Sequence, residues 1–227
     1  MGRALRCFEA DGIYHVISRG SNRGKIFFNS GDYGAFVDRL ELIVERYELG
    51  LVAYSLIPNH YHAIFQTPDA RLSEAIRDLN GGHSRLMSSV YGREAHLFRN
   101  RFRAEHIDTR EYFVVAMRYC DLNAVAAGLA EHPADWRWCS YRATVGMSPT
   151  PDFLSPEIFL RNLRATISEA RAEYRAYVEE KLERVQRRET APGTARTISG
   201  SDRDGVGIDA ARVRAAAPPA IVLNHHS

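Results

Sequence analysis

The sequence predicts an α+β fold of the ferredoxin-like type, a split βαβ sandwich in which a small antiparallel sheet carries helices packed on one face. Three observations lead there. Residues 8–146 are dense in aromatic and β-branched side chains. Short extended segments alternate with segments of helical periodicity, and the connections between them are short.

The elements follow in order. Residues 12–18 read as a buried strand, closed by the loop Arg19-Gly20-Ser21-Asn22-Arg23-Gly24. A helix is expected over 32–47, because Phe36, Leu40, Ile43, Val44 and Tyr47 recur at helical spacing and Ser30 can serve near its N-cap. Gly50 ends the connection, a second strand covers 51–57, Pro58-Asn59 interrupts it, and 60–66 continues as a third extended segment. Residues 72–91 form a second helix, expected to break or bend near Gly81-Gly82. Asp108 at a cap with Glu111 three positions later opens a third helix reaching about residue 122.

Composition narrows the class. At 45% hydrophobic and 26% charged residues over 227 positions, a fully disordered chain is excluded. No run approaches the roughly 18 apolar residues of a membrane span, and no charged segment followed by an apolar core opens the chain, so a soluble, cytoplasmic protein with no membrane partner is expected. Cys7, Cys120 and Cys139 form no CxxC pair, and an odd count suits reduced thiols. Net charge is only +2, but Lys25 and Lys181 are the only lysines, so the positive charge is nearly all arginine. Genomic base composition accounts for such a bias as well as phosphate binding by bidentate guanidinium groups does. Three regions are expected: a domain over 8–146, a charged helical accessory segment over 155–188, and a disordered Gly/Ala/Ser/Pro/Arg-rich tail over 189–227.

The chemistry begins at His60-Tyr61-His62. Residues two apart in a strand point to one face, so both imidazoles project together while Tyr61 points away. Adjacent imidazoles start a divalent-metal site, and Pro58 suits a strand edge that leaves them accessible. Ordinary strand histidines on a half-wet surface give the same pattern. On the third helix Tyr119 and Asn123 are four apart, hence one turn apart on one face; Tyr112 and Ala116 extend that stripe, beside an apolar stripe of Phe113, Met117 and Cys120. Taken with the histidines they complete a coherent set: a phenol that can attack, an amide oxygen as a third metal ligand, and two imidazoles.

The segments Ala53-Tyr54-Ser55-Leu56-Ile57-Pro58-Asn59-His60-Tyr61-His62 and Arg118-Tyr119-Cys120-Asp121-Leu122-Asn123-Ala124-Val125-Ala126-Ala127-Gly128-Leu129 resemble the HUH single-strand transposases, and more narrowly the IS200-like, REP-associated tyrosine transposase family. His15-Val16-Ile17-Ser18-Arg19-Gly20, Leu79-Asn80-Gly81, Leu97-Phe98-Arg99-Asn100-Arg101-Phe102 and Trp136-Arg137-Trp138-Cys139-Ser140-Tyr141 follow in the family's order, across residues 9–146. The resemblance implies a metal-dependent DNA strand transferase and endonuclease. It would cleave and rejoin single-stranded or hairpin DNA through a 5′-phosphotyrosine intermediate, as in DNA transposition. It assigns Mg²⁺ or Mn²⁺ to His60, His62 and Asn123, and nucleophilic attack to Tyr119. It leaves the choice between monomer and homodimer open. Two departures stand out: Asn123-Ala124-Val125 lacks the family's common proline after the asparagine, and Asp121 replaces histidine or another polar residue.

DNA contacts are expected at Arg99, Arg101 and Arg103, which alternate with Asn100 and Phe102, and more weakly at Arg19 and Arg23. The alternation also fits a solvated edge strand. Two rival functions stay open: a hairpin- or repeat-binding DNA protein without the chemistry, and an unrelated metallohydrolase using the two histidines.

Overall fold

Strand and helix boundaries are set by side-chain pattern and by local capping. The computed structural model describes residues 8–92 and 96–190. Along them run β1 (Ile13–Arg19), α1 (Ser30–Arg46), β2 (Gly50–Ile57), β3 (His60–Gln66), α2 (Leu72–Tyr91), β4 (Arg103–His106), α3 (Arg110–Asp121), α4 (Asn123–Ala126), α5 (Tyr141–Thr144), α6 (Glu157–Leu160) and α7 (Ile167–Thr190). The sheet has the order β2-β3-β1-β4, antiparallel throughout. β3 lies between β1 and β2, and β1 between β3 and β4, which is the split βαβ arrangement the sequence predicts.

β4 is absent from the reading of the sequence. It is four residues long, its residues are exposed or half-buried, and its Arg, Glu and His carry no apolar alternation. It is the open edge of the sheet, a position where charged side chains discourage pairing with another chain. The opposite edge is covered: Leu56 N–H donates to Trp138 O, Ser140 N–H donates to Tyr54 O, and the Trp136 indole N–H donates to Leu56 O.

Helices were expected on one face. α1 and α2 do share a face, packing Phe36, Leu40, Ile43, Ile76 and Leu79 against Tyr61, Ala63 and Phe65. The other face is also covered. Val52, Ala53 and Ile64 are fully buried there beneath α3, α6 and α7, which contribute Phe113, Met117, Phe159, Tyr174 and Val178. Both faces of the central strands are buried, so each is covered by helices. The 155–188 segment supplies the missing cover, and α7 buries Ala170, Tyr174, Val178 and Leu182 on one side. Cys120 and Cys139 are buried in this second core. The region expected as a tail lies outside the described residues beyond Thr190.

Three local expectations change. α1 starts at Ser30, not 32, because Asn29 is the N-cap: its side chain accepts from Gly31 and Asp32 N–H, while Asp32 accepts from Asn29 N–H in return. α3 is capped by Thr109 rather than Asp108, the hydroxyl accepting from Tyr112 N–H at 3.2 Å. α2 runs through Gly81-Gly82 without a break. Gly82 has a packing role instead, since a Cβ there would lie 2.0 Å from an Arg39 guanidinium nitrogen. Arg39 uses the space a side chain would fill.

Candidate active site

His60 and His62 point, with Ile64, to the α3 side of the sheet, and Tyr61 points to the α1/α2 core. The expectation of side-by-side imidazoles holds: the ring centroids are 5.0 Å apart. Both residues are buried, His62 completely. Antiparallel register places Arg19 opposite His60 and Ile17 opposite His62 on β1, and Ser55 opposite His62 on β2. His15, two residues before Ile17, shares that face. Its Nε2 lies 2.8 Å from His62 Nδ1, and the two rings stack with centroids 5.0 Å apart.

Tyr119 projects from α3 onto this cluster. Its ring meets His62 edge-on at 5.3 Å between centroids and His15 at 6.1 Å. It is half-buried, whereas its α3 neighbours Tyr112, Ala116, Met117 and Cys120 are buried. The helix does not carry through to Asn123. α3 ends at Asp121, and Asn123 begins the separate short helix α4, packed against β2. Asp121 faces away from the cluster into the second core, where it accepts a hydrogen bond from the Tyr174 hydroxyl at 2.6 Å.

Five polar atoms in this region are buried without any hydrogen-bond partner: Nε2 of His60, Nε2 of His62, Oδ1 of Asn123, Nδ1 of His15 and Oγ of Ser55. Each such atom costs about 1–3 kcal/mol if nothing satisfies it. The first three belong to the residues that the sequence puts forward as ligands. Two imidazole nitrogens and an amide oxygen form a donor set that a first-row divalent ion such as Mn²⁺ accepts. Among the described residues no group of three or more His, Cys, Asp or Glu side chains is arranged to hold an ion, so the amide oxygen is what makes a third donor here.

Electrostatics fit neutral imidazoles. Burial, aided by the Arg19 guanidinium, pushes His60 down to about 3; burial and the Arg103 guanidinium push His15 down to about 3; His62 is held well below its usual value by burial and by its two histidine neighbours. All three keep a lone pair at neutral pH. Burial raises the Tyr119 phenol, an effect that Arg19 and Arg103 oppose and Glu105 reinforces.

The arginines divide between the two sides of the sheet. Arg19 and Arg103 share the tyrosine side by register, with Arg103 donating to Glu105, which also accepts from the Tyr112 hydroxyl. Arg101 instead lines a cleft of about 1110 Å³ between α2 and the 96–102 segment, with Arg77, Arg85, Phe98 and Phe102. Arg99 is exposed, its N–H bonded to Arg19 O. Arg23 is exposed in the turn after β1, with positive φ. Sequence reasoning missed His15 and Ser55 as members of the cluster; strand alternation counted from the register of β1 and β2 on β3 is the signal that finds them.

A family model for IS200-like transposases matches residues 10–123, half of the chain, from just before β1 to the asparagine that opens α4. The chain belongs to the IS200-like transposase family. Among solved structures, this family member resembles a REP-associated tyrosine transposase bound to a REP hairpin, at 17% identity and a TM-score of 0.56, over 68% of this chain and 94% of that one. That likeness establishes the shared fold. A Deinococcus radiodurans R1 protein assigned as a transposase matches at 19% identity and a TM-score of 0.38, over 48% of this chain and 88% of that one. A comparison with curated proteins gives no match. Among the described residues no helix is long and apolar enough to cross a membrane.

Proposed function

We propose that this IS200-like family member is a DNA strand transferase that cleaves and rejoins single-stranded or hairpin DNA, with Tyr119 as nucleophile. The observation that carries the reading is the Tyr119 ring at 5.3 Å from that of His62, beside three buried donor atoms without partners on His60, His62 and Asn123. In the step envisaged, the phenolic oxygen bonds to the scissile phosphorus and the bond from phosphorus to the 3′ oxygen breaks. The phenolic proton ends on the released 3′ hydroxyl. A 5′-phosphotyrosine retains the phosphodiester's energy, so a second 3′ hydroxyl can reverse the step without ATP.

His60, His62 and Asn123 would hold Mg²⁺ or Mn²⁺. When bound, the ion offsets the charge that builds on the non-bridging phosphate oxygens. The chain's own residues supply the rest. The sheet fixes the imidazoles on one face, α3 presents the phenol to them, and the Arg19 and Arg103 guanidiniums favour the phenolate against the burial that disfavours it. Tyrosine ionises at about 10 when free, so this assistance matters. The same two arginines suit phosphates next to the scissile bond, while Arg101 with Phe98 and Phe102 suits an unpaired stretch of strand on the other side. The relative that shares the fold is bound to a REP hairpin, which supports a hairpin as the DNA partner.

The test is incubation with hairpin-bearing single-stranded DNA and Mn²⁺. The expected result is a covalent protein–DNA adduct that Tyr119→Phe abolishes without loss of hairpin binding. An adduct that survives the substitution overturns the nucleophile. Hairpin binding indifferent to chelator, with no adduct at all, identifies a DNA-binding protein without the chemistry.

A further inference from the structure

We propose that His15 is a positioning residue for His62: as a hydrogen-bond acceptor it keeps the proton of the His62 ring on Nδ1 and leaves Nε2 as the ligating lone pair. The inference rests on the ligand assignment above and adds a residue to it.

A neutral imidazole has one proton and two nitrogens, and only the bare nitrogen can bind a cation. Metal-binding histidines therefore depend on a partner that holds the proton on the other nitrogen. Both ligand histidines have such a partner. His60 Nδ1 lies 2.8 Å from Asn59 Oδ1. A carbonyl oxygen can only accept, so His60 Nδ1–H donates and its Nε2 is bare. His62 is less constrained, because its Nδ1 faces another imidazole, His15 Nε2, at 2.8 Å. Either ring can donate.

The alternatives differ in what they place at the unpartnered, buried Nε2 of His62. If His15 donates, His62 carries a proton on Nε2, and that N–H is buried without an acceptor and cannot ligate. If His62 donates, its Nε2 is bare, like that of His60. The second arrangement makes the two rings equivalent as donors, matching the bare Oδ1 of Asn123. It puts a proton on His15 Nδ1, which is likewise buried without a partner, so each arrangement buries one unpaired N–H and the ligand assignment is what selects the second.

His15 is built for this task. It is fully buried, and its position on β1 is fixed by the pairing of His15 with Ile64 and of Ile17 with His62. Its ring stacks on His62 with 25° between planes and meets Tyr119 at 72°, so it braces the ligand ring and the nucleophile ring together. It is not one of the proposed ligands; its effect passes through His62.

The experiment combines a spectrum and an affinity. ¹⁵N-histidine NMR of the ion-free wild-type chain reads which His62 nitrogen is protonated; Nδ1–H is expected. Mn²⁺ affinity is measured by electron paramagnetic resonance of free Mn²⁺ for wild type, His15→Leu and His15→Gln. Loss of the acceptor in His15→Leu is expected to weaken Mn²⁺ binding about 10- to 100-fold, the scale of lost outer partners of metal ligands. His15→Gln, whose amide oxygen can accept, is expected to recover most of it. Protonation of His62 at Nε2, or equal Mn²⁺ affinity in wild type and His15→Leu, overturns the role of His15. A wild-type chain that binds no Mn²⁺ overturns the ligand assignment itself, a different result. If His15→Leu fails to fold, as judged by circular dichroism, the wild-type spectrum and His15→Gln decide.

Discussion

Single side chains in this protein are read most clearly where burial and hydrogen bonding disagree. Asp121 is fully buried within one residue of Leu122, where α3 gives way to α4, and only the Tyr174 hydroxyl satisfies one of its oxygens; the other has no partner. Burial raises this carboxyl to about 7, against the lowering effect of the Tyr174 hydrogen bond. Between the unfolded value of 3.8 and about 7 the folded chain therefore holds a proton that the unfolded chain releases. The associated stability is complete below the lower value and is lost as pH rises through the upper one. Denaturant unfolding of wild type and Asp121→Asn at pH 5 and pH 8 checks this. The variant is expected to gain relative stability at pH 8, and a difference independent of pH overturns the argument. The same scale shows how far the sequence could be read. His60, His62 and Tyr119 were legible because strand and helix periods alone place them on defined faces. His15 was not, because a histidine 45 positions away from His60 joins the cluster only through strand register, which pattern does not encode.

At the scale of elements, caps decide boundaries that hydrophobic periodicity leaves loose. The stripe Phe36, Leu40, Ile43, Val44 and Tyr47 located α1 correctly, and all five are buried. Its start was misplaced by two residues because the reciprocal Asn29–Asp32 pair was not recognised as the cap. Asn29→Ala removes the acceptor for two N–H groups and a donor to the Tyr91 hydroxyl. A loss of about 1 kcal/mol is expected, within the range for N-cap replacements, measured as a shift of the denaturant midpoint at unchanged slope. β4 escaped the reading for the opposite reason: a four-residue edge strand of charged side chains has too little apolar signal to be distinguished from a basic loop. The glycine pair in α2 promised a bend only because nothing in the sequence shows that Arg39 occupies the space above Gly82.

For the whole molecule, the two-sided cover of the sheet ties the face that carries His60, His62 and Tyr119 to the C-terminal helices. The family match ends at residue 123, yet Phe159, Leu160, Tyr174 and Val178 lie in the core that supports α3 from outside. A chain cut after residue 154 would expose Val52, Phe113 and Met117, each of which is buried. Exposing large apolar side chains costs about 1.5–3 kcal/mol each, so three of them are comparable to the whole margin of a typical domain. The expected outcome is an aggregating or partly folded product, seen as lost near-ultraviolet circular dichroism; a monomeric, natively folded truncation would show that the first 154 residues suffice. The split βαβ class was legible because its order of elements is local, whereas the second layer was not, since the charged 155–188 segment fits an accessory, a packing or a solvated helix equally until the one apolar side of α7 is seen against Phe159.

The two buried cysteines give this layer a chemical gauge. Cys120 adjoins Tyr119 in α3 and Cys139 borders β2, and burial pushes both thiols far from the thiolate, Cys139 to about 12. Alkylating reagents attack thiolates, so both side chains are silent while the C-terminal helices stay docked. Peptide-resolved alkylation would then time the lifting of that layer from the sheet, at a position one residue from Tyr119.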